Sequence, residues 1–293
     1  MMGKVAILTD TNSGISPEEA KAHGIYVLPT PFYINDTLHY EGVDLSEDEF
    51  YRFQGQGADI KTSMPIVGDV MDKWNELLEE YDEVVYIPLS SGLSASCETA
   101  RLMAEEDDYE GKVFVVNNQR ISVTMKISAY EAKQLADEGK SGAQIRDYLE
   151  AHKAESVIYL MVDTLEYLKK GGRITPAVAA IGSLLKIKPV LLIDGQKLDS
   201  FAKARTIKQA RTIMLDAIEA DMKSRFRSAD RQELIISMAH TQNREMIEEF
   251  RQEAMERFGG KDIKVDPLSL VVACHTGSGV IAITATKSFI DNI

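Results

Sequence analysis

The sequence predicts an α/β protein of two domains: an N-terminal parallel sheet covered by helices, then a C-terminal α/β domain with a mixed sheet. Three observations predict it. Short apolar runs alternate with helical patterns from residue 4 to about residue 150, and parallel strands need such helical crossovers. In the second half, Val190–Ile193 and Lys197–Phe201 flank Asp194-Gly195, a strong hairpin signal that breaks the alternation. A chain of 293 residues has room for two domains of ordinary size, and the change of character places the boundary at 155, giving domains 1–155 and 156–293.

Taken in order, Lys4–Thr9 is an apolar run of the kind found in buried parallel strands. It ends in TDTNSGIS, whose Asp10, Thr11, Asn12 and Ser13 mark the carboxyl edge of a sheet, where α/β sites are usually built. Ser16-Pro17 starts a helix that Gly24 ends, and Tyr26–Tyr33 reads as a second strand. Ser46 and Glu49 form a capping box, as do Ser141 and Gln144 further on. After KTSMP, Val67, Val70, Met71, Trp74, Leu77 and Leu78 fall at helical spacing, with Thr62 and Ser63 placed to cap that helix or to hold an anion at its N-terminus. Glu83–Pro88 is a third strand running into LSSGLSASCETA, where Ser90, Ser91, Ser94 and Ser96 surround Gly92 ahead of a helix; the pattern is not GxSxG. Lys112–Asn117 is a fourth strand, followed by NNQRIS and a helix to about Asp137. In a parallel sheet, Asp10–Ser13, Thr62-Ser63 and Ser91–Ser94 converge along one edge. The second half adds a strand at Ser156–Val162, a short helix capped by Asp163 with Glu166 and ended by Gly171-Gly172, a helix from Arg205 to about Arg225, a strand at Glu233–His240 and a helix at Asn243–Phe258. His275 falls in a turn with Gly277 and Gly279.

Composition narrows the function. The net charge of −13 excludes nucleic acid or an anionic membrane as a default partner. Against that background, residues 165–211 carry ten Lys or Arg and three acids, a local +7 that suits an anionic ligand or an acidic partner, or simply a solvated charged surface. Two cysteines, Cys97 and Cys274, give neither a disulfide framework nor metal-type spacing, and the five histidines show no HExxH. No metal and no cofactor is expected. MMGKVAILTD reads as a strand and not a signal peptide, and no apolar run reaches membrane-spanning length, so a cytoplasmic location without stable membrane insertion is the expectation.

Within the basic island, Thr175-Pro176 reads as a helix start, and Ala177–Leu185 is apolar all round. Such a helix is either a buried core element or the wall of an apolar ligand site, here with Ala177, Ala180, Ile181 and Leu184 as lining residues. Lys169, Lys170 and Arg173 before it, and Lys186 and Lys188 after it, suit a ligand with an apolar tail and an anionic head.

TDTNSGIS, TSMP at 62–65, LSSGLSAS at 89–96, LKKGGRI at 168–174, KIKPVL at 186–191, KART at 203–206 and HTGSGVI at 275–281 together resemble the DegV family of bacterial fatty-acid-binding proteins. The set appears in family order across nearly the whole chain. The resemblance implies a lipid-binding, non-catalytic subunit of a fatty-acid kinase. A long-chain fatty acid lies in a tunnel between the two domains and is presented to the kinase partner, and the acyl phosphate is carried away for phospholipid synthesis. It implies carboxylate contacts from Thr62 or Ser63, Ser94 and His275. Ser91, Gly92, Arg173 and Gly277 lie near the head group, and Lys170, Arg173 and Arg205 face the kinase. The sequence departs from the family pattern at NNQRISVTMK, where Asn117 and Asn118 replace the usual acid and hydroxyl and Val123, Thr124 and Lys126 replace small residues; this bears on local packing and acyl preference. The competing class is a serine-dependent acyl hydrolase or transferase with Ser94 as nucleophile and His275 as base.

Overall fold

The structure, a computed structural model, describes residues 3–176, 187–195, 198–226, 234–260 and 262–290. The chain divides into two compact units, Met1–Ala154 and Glu155–Ile293.

In the N-terminal unit, β1 (Val5–Asp10), β2 (Tyr26–Leu28), β6 (Glu83–Ile87) and β7 (Val113–Val115) form a wholly parallel sheet in the order β2-β1-β6-β7. β1 and β6 pair from Val5 with Glu83 to Thr9 with Ile87 and are covered on both faces, which is why both read as unbroken apolar runs. The helices are α1 (Pro17–His23), α2 (Glu47–Gly55), α3 (Val67–Leu78), α4 (Ser96–Ala104), α5 (Val123–Asp137) and α6 (Gly142–Ala151). α1, α2 and α6 each begin in a capping box, at Ser16 with Glu19, Ser46 with Glu49 and Ser141 with Gln144. One core forms around Trp74 and Tyr86, whose rings meet edge to face at 6.1 Å, with Leu8, Val84, Cys97 and Met103 around them.

The predicted strand Tyr26–Tyr33 is two strands. β2 ends at Leu28, and β3 (Pro31–Ile34) leaves for a separate antiparallel sheet with β4 (Thr37–Tyr40) and β5 (Ile60–Thr62), in the order β4-β3-β5. Pro29 and Pro31 explain the break, since neither ring nitrogen can donate to a continuing ladder. Asn35 and Asp36 then turn the hairpin with φ of +49° and +64°, the conformation that a tight two-residue loop requires at both positions.

In the C-terminal unit, six strands pair in the order β10-β9-β8-β13-β11-β12. They are β8 (Ser156–Met161), β9 (Lys188–Ile193), β10 (Leu198–Ala204), β11 (Leu234–His240), β12 (Lys264–Pro267) and β13 (Ile281–Lys287). β11–β12 is parallel and every other pairing is antiparallel, so the sheet is mixed. β9 and β10 pair antiparallel from Ile193 with Leu198, and Gly195, just after β9, takes φ +83°. Among the described residues its helices are α7 (Glu166–Gly171), α8 (Ile207–Lys223), α9 (Arg244–Phe258) and α10 (Leu270–Thr276). α8 and α9 bury Ala210, Met214, Ile218, Ile247 and Phe250 against the sheet residues Tyr159, Met161, Met238 and Ile283.

Two further expectations are corrected. Asp163 does not cap α7: Thr164 Oγ1 accepts the Glu166 N–H at 3.1 Å, while Asp163 accepts from Lys188 Nζ at 2.6 Å. His275 is not in a turn but in the last turn of α10, because helical geometry continues through Thr276 and the glycine turn begins only at Gly277, at φ +75°.

Trp74 is fully buried, whereas Leu102 on neighbouring α4 is 68% exposed. Trp74→Ala should cost about 3–5 kcal/mol in urea unfolding and Leu102→Ala less than about 0.5 kcal/mol. Equal effects contradict the placement of this core.

Candidate functional site

β1, β6 and β7 run parallel, so the loops that follow them share one edge of the N-terminal sheet. Asp10 ends β1 fully buried. Its Oδ1 accepts from the Asn12 N–H at 2.9 Å and from Asn12 Nδ2 at 2.7 Å, and its Oδ2 accepts the Leu89 N–H at 3.0 Å. Burial pushes its pKa up, against these three hydrogen bonds. Asp10 therefore laces the TDTNS turn to the serine loop. Both oxygens are taken within this unit.

The serine loop is wound tightly around buried Ser90. The Ser90 carbonyl accepts from the Leu93 and Ser94 N–H groups at 2.9 and 3.1 Å, and its Oγ accepts the Gly92 N–H at 3.3 Å. Ser91 Oγ accepts from Asn117 Nδ2 at 2.8 Å. Ser94 Oγ accepts the Ser96 N–H, at the first turn of α4, at 3.2 Å. That bond uses a lone pair of Ser94 and leaves its hydroxyl hydrogen to donate elsewhere.

Thr62 ends β5, opposite Phe32, and the Ser63 N–H donates to the Pro31 carbonyl at 3.3 Å. Neither caps α3, whose N-cap Ile66 has no side-chain hydrogen bond. Three residues, Ser63, Met64 and Pro65, intervene between β5 and that N-cap. Thr62 is half-buried and Ser63 exposed. Thr99 Oγ1 donates to Met64 Sδ at 3.7 Å, which sets the TSMP segment beside the second turn of α4, close in the chain to Ser94.

In the C-terminal unit, the segments LKKGGRI and HTGSGVI come together. A Cβ on Gly171 would lie 2.1 Å from His275 Nδ1, so the imidazole sits directly on the Gly171 backbone. Arg173 Nη1 donates to the Gly171 carbonyl and lies near the same ring. Burial first, and the Arg173 charge second, push the His275 pKa down to about 4, so the imidazole is neutral at pH 7. Gly277 is packed against Tyr167, whose Cδ2 would lie 2.6 Å from an added Cβ. The turn is pinned by Thr241, a residue with no signal in the sequence: its Oγ1 donates to the Gly277 carbonyl at 2.8 Å and accepts the Val280 N–H at 3.0 Å.

Lys169, Lys170, Lys203 and Arg205 are exposed, on α7 and at the end of β10. Thr175, expected to cap the apolar helix, donates from Oγ1 to Asp199 at 2.8 Å. Ala177, Ala180, Ile181 and Leu184 lie outside the described residues. Among the described residues no group of His, Cys, Asp or Glu could hold a metal ion, and no helix is long and apolar enough to cross a membrane.

The His275 ring protons, followed by NMR, should titrate near pH 4. Arg173→Gln should raise that value only part of the way to an ordinary 6.5, because burial is the larger cause. The sign for stability follows. The unfolded imidazole takes a proton below about 6.5 and the folded one does not until about 4, so stability falls as pH drops through that window and His275→Gln flattens the fall. An unshifted titration contradicts the buried seat.

The DegV family signature matches residues 4–288. A DegV domain-containing protein of Streptococcus pneumoniae is 30% identical over 285 residues, covering 96% of this chain and 98% of that one. A counterpart in Staphylococcus aureus is 28% identical over 286 residues, covering 98% and 100%. Among solved structures, a DegV family protein of Thermus thermophilus described by its fatty acid binding superposes with a TM-score of 0.87 at 28% identity, covering 97% and 99% of the two chains. DegV of Bacillus subtilis, described as a fatty acid binding protein, gives 0.84 at 26%, covering 98% and 100%. With the signature running through both units, the chain belongs to the DegV family.

Proposed function

We propose that the protein binds one long-chain fatty acid in a tunnel between its two units, with residues 177–185 as part of the wall, and presents the carboxylate to a fatty-acid kinase in the cytoplasm. Thr62 or Ser63, Ser94 and His275 receive the carboxylate. Ser91, Gly92, Arg173 and Gly277 surround it, and Lys170, Arg173 and Arg205 face the kinase. The observation that carries the proposal is the likeness, over nearly the whole chain, to structures described as fatty acid binding. Local chemistry agrees with it. Ser94 has a hydroxyl hydrogen left to donate, the His275 imidazole is neutral at pH 7, and Arg173 beside it supplies the positive charge that an anionic head needs. The tail provides most of the affinity, at about 0.8 kcal/mol per buried methylene and on the order of 10 kcal/mol for sixteen carbons before ordering costs.

The depressed pKa of His275 also weighs against the acyl-hydrolase alternative. A general base works best with a pKa near the operating pH, and an imidazole held at about 4 is a poor proton acceptor for a serine hydroxyl.

Lipid extracted from freshly purified protein should contain a long fatty acid at about one per chain by mass spectrometry. Ser94→Ala combined with His275→Ala should weaken fatty-acid binding with the circular-dichroism spectrum unchanged, and p-nitrophenyl butyrate should not turn over. An unchanged affinity removes both residues from the site, and Ser94-dependent ester hydrolysis favours the hydrolase. For the partner, Lys170→Glu with Arg205→Glu should slow acyl-phosphate formation by the cognate kinase and reduce its salt dependence, while loading with free fatty acid changes little. Full phosphorylation of that variant at low ionic strength rules out the basic face as the kinase contact.

A further inference from the structure

Asn117 follows β7 at the carboxyl edge of the parallel sheet, and its place is fixed from behind. The Val116 N–H still donates to the Tyr86 carbonyl at 2.8 Å, so the sheet carries the chain up to it. Its own backbone N–H donates to Glu150 Oε1 at 2.9 Å, and the same oxygen accepts from Arg101 Nη2 at 3.2 Å, which ties the residue to α6 and α4. Its side chain makes one hydrogen bond among the described residues: Nδ2 donates to Ser91 Oγ at 2.8 Å, while Oδ1 is buried without a donor. The direction of that bond matters. An amide nitrogen can only donate, so Ser91 Oγ is the acceptor and keeps its own hydrogen for another partner.

Ser91 shares a turn with Ser94. The Ser90 carbonyl accepts from both the Leu93 and the Ser94 N–H, closing one helix-like turn, and residues three apart on such a turn are neighbours. Ser94 Oγ likewise accepts, from the Ser96 N–H at 3.2 Å. Two neighbouring hydroxyls are thus each supplied with a donor by the protein, and each has its hydrogen left to give.

We infer that Asn117 is a positioning residue for the fatty-acid head group: by donating to Ser91 it turns the Ser91 hydroxyl hydrogen toward the ligand, so that Ser91 and Ser94 together offer two O–H donors to a carboxylate. The inference rests on the fatty-acid reading above and deepens it. A carboxylate only accepts, so a pair of oriented donors suits it. An aspartate has the shape of asparagine but, ionised, cannot donate. At position 117 it would take the Ser91 hydrogen for itself and leave the oxygen lone pairs facing the ligand.

The test is palmitate binding to the delipidated full chain at neutral pH, by isothermal titration calorimetry. It compares the wild type, Ser91→Ala, Asn117→Asp and the double variant, with circular-dichroism spectra to check the fold. The charge that Asn117→Asp adds is present in both proteins carrying it and cancels in the cycle. Ser91→Ala should weaken binding about tenfold in the wild type, the scale of one hydrogen bond to a charged group. In the Asn117→Asp background, where that hydrogen is already taken, it should weaken binding less than about twofold. Asn117→Leu gives Ser91 neither donor nor acceptor and adds no charge, so it serves if Asn117→Asp does not fold. With the hydroxyl free to rotate, Ser91→Ala should there cost about threefold. A wild type that binds palmitate, with the same Ser91→Ala cost in every background or with none, overturns the inference and leaves the fatty-acid reading standing. A wild type that binds neither palmitate nor oleate overturns both.

Discussion

Asp10 is the constraint on which the N-terminal edge depends. A fully buried carboxylate at the end of a parallel strand is costly unless its lone pairs are met, and three N–H donors meet them. Those donors come from the turn after β1 and from the loop after β6, 79 residues away along the chain. Satisfying one side chain therefore fixes two loops against each other. The turn of Ser90 follows from it, since Leu89, which donates to Asp10, directly precedes the residue whose carbonyl gathers Leu93 and Ser94. The polar atoms at this edge are thus organised before any ligand arrives, which lowers the ordering cost of binding one.

The C-terminal unit reaches a comparable result by subtraction. Gly171 and Gly277 leave space that the His275 and Tyr167 rings fill, and any side chain at either position would overlap a ring. Gly277 is doubly constrained, because its φ of +75° is also one that other residues seldom adopt. The imidazole, pressed against backbone and near a guanidinium, cannot readily take a proton. The same packing that orients His275 thereby sets its charge, giving a hydrogen-bond donor without a second cation beside Arg173.

What was legible in the sequence is what local physics fixes. The apolar runs of β1 and β6, the capping boxes of α2 and α6 and the Asp194-Gly195 hairpin each carry their own signal, and the α/β architecture with a parallel and a mixed sheet follows from them. The hairpin from Pro31 to Tyr40 was hidden because its turn is Asn35-Asp36, without the glycine that usually announces both positive φ values. β12 is hidden in the sequence because KVDP is half exposed and ends in proline, which an edge strand tolerates. Of the residues proposed for the site, the hydroxyls and the histidine stand out in the sequence as residue types beside Gly and Pro. Thr241 does not: its role is to hold a turn 36 residues away, and nothing local marks such a residue.

The segment NNQRISVTMK shows how a strained backbone path is held in place. Gln119 and Ser122 both take φ of +55°, a strained choice for residues with side chains, and strain of this kind persists only where the surroundings over-determine it. Here the surroundings are ionic. Arg120, 3% exposed, lies 3.6 Å from Glu131, 2% exposed, and donates to Ser128 Oγ at 2.9 Å and to the His152 carbonyl at 3.0 Å. Lys126 is buried too, with its Nζ 2.9 Å from Glu19. A buried pair of this sort adds little net stability against an apolar replacement, but losing one partner typically costs about 3–5 kcal/mol, so it specifies one backbone path strongly. That path delivers Asn117 to Ser91, and its backbone N–H to Glu150 at 2.9 Å. The loop that carries Asn117 and Asn118 is therefore anchored from behind by buried charge and in front by the serine turn.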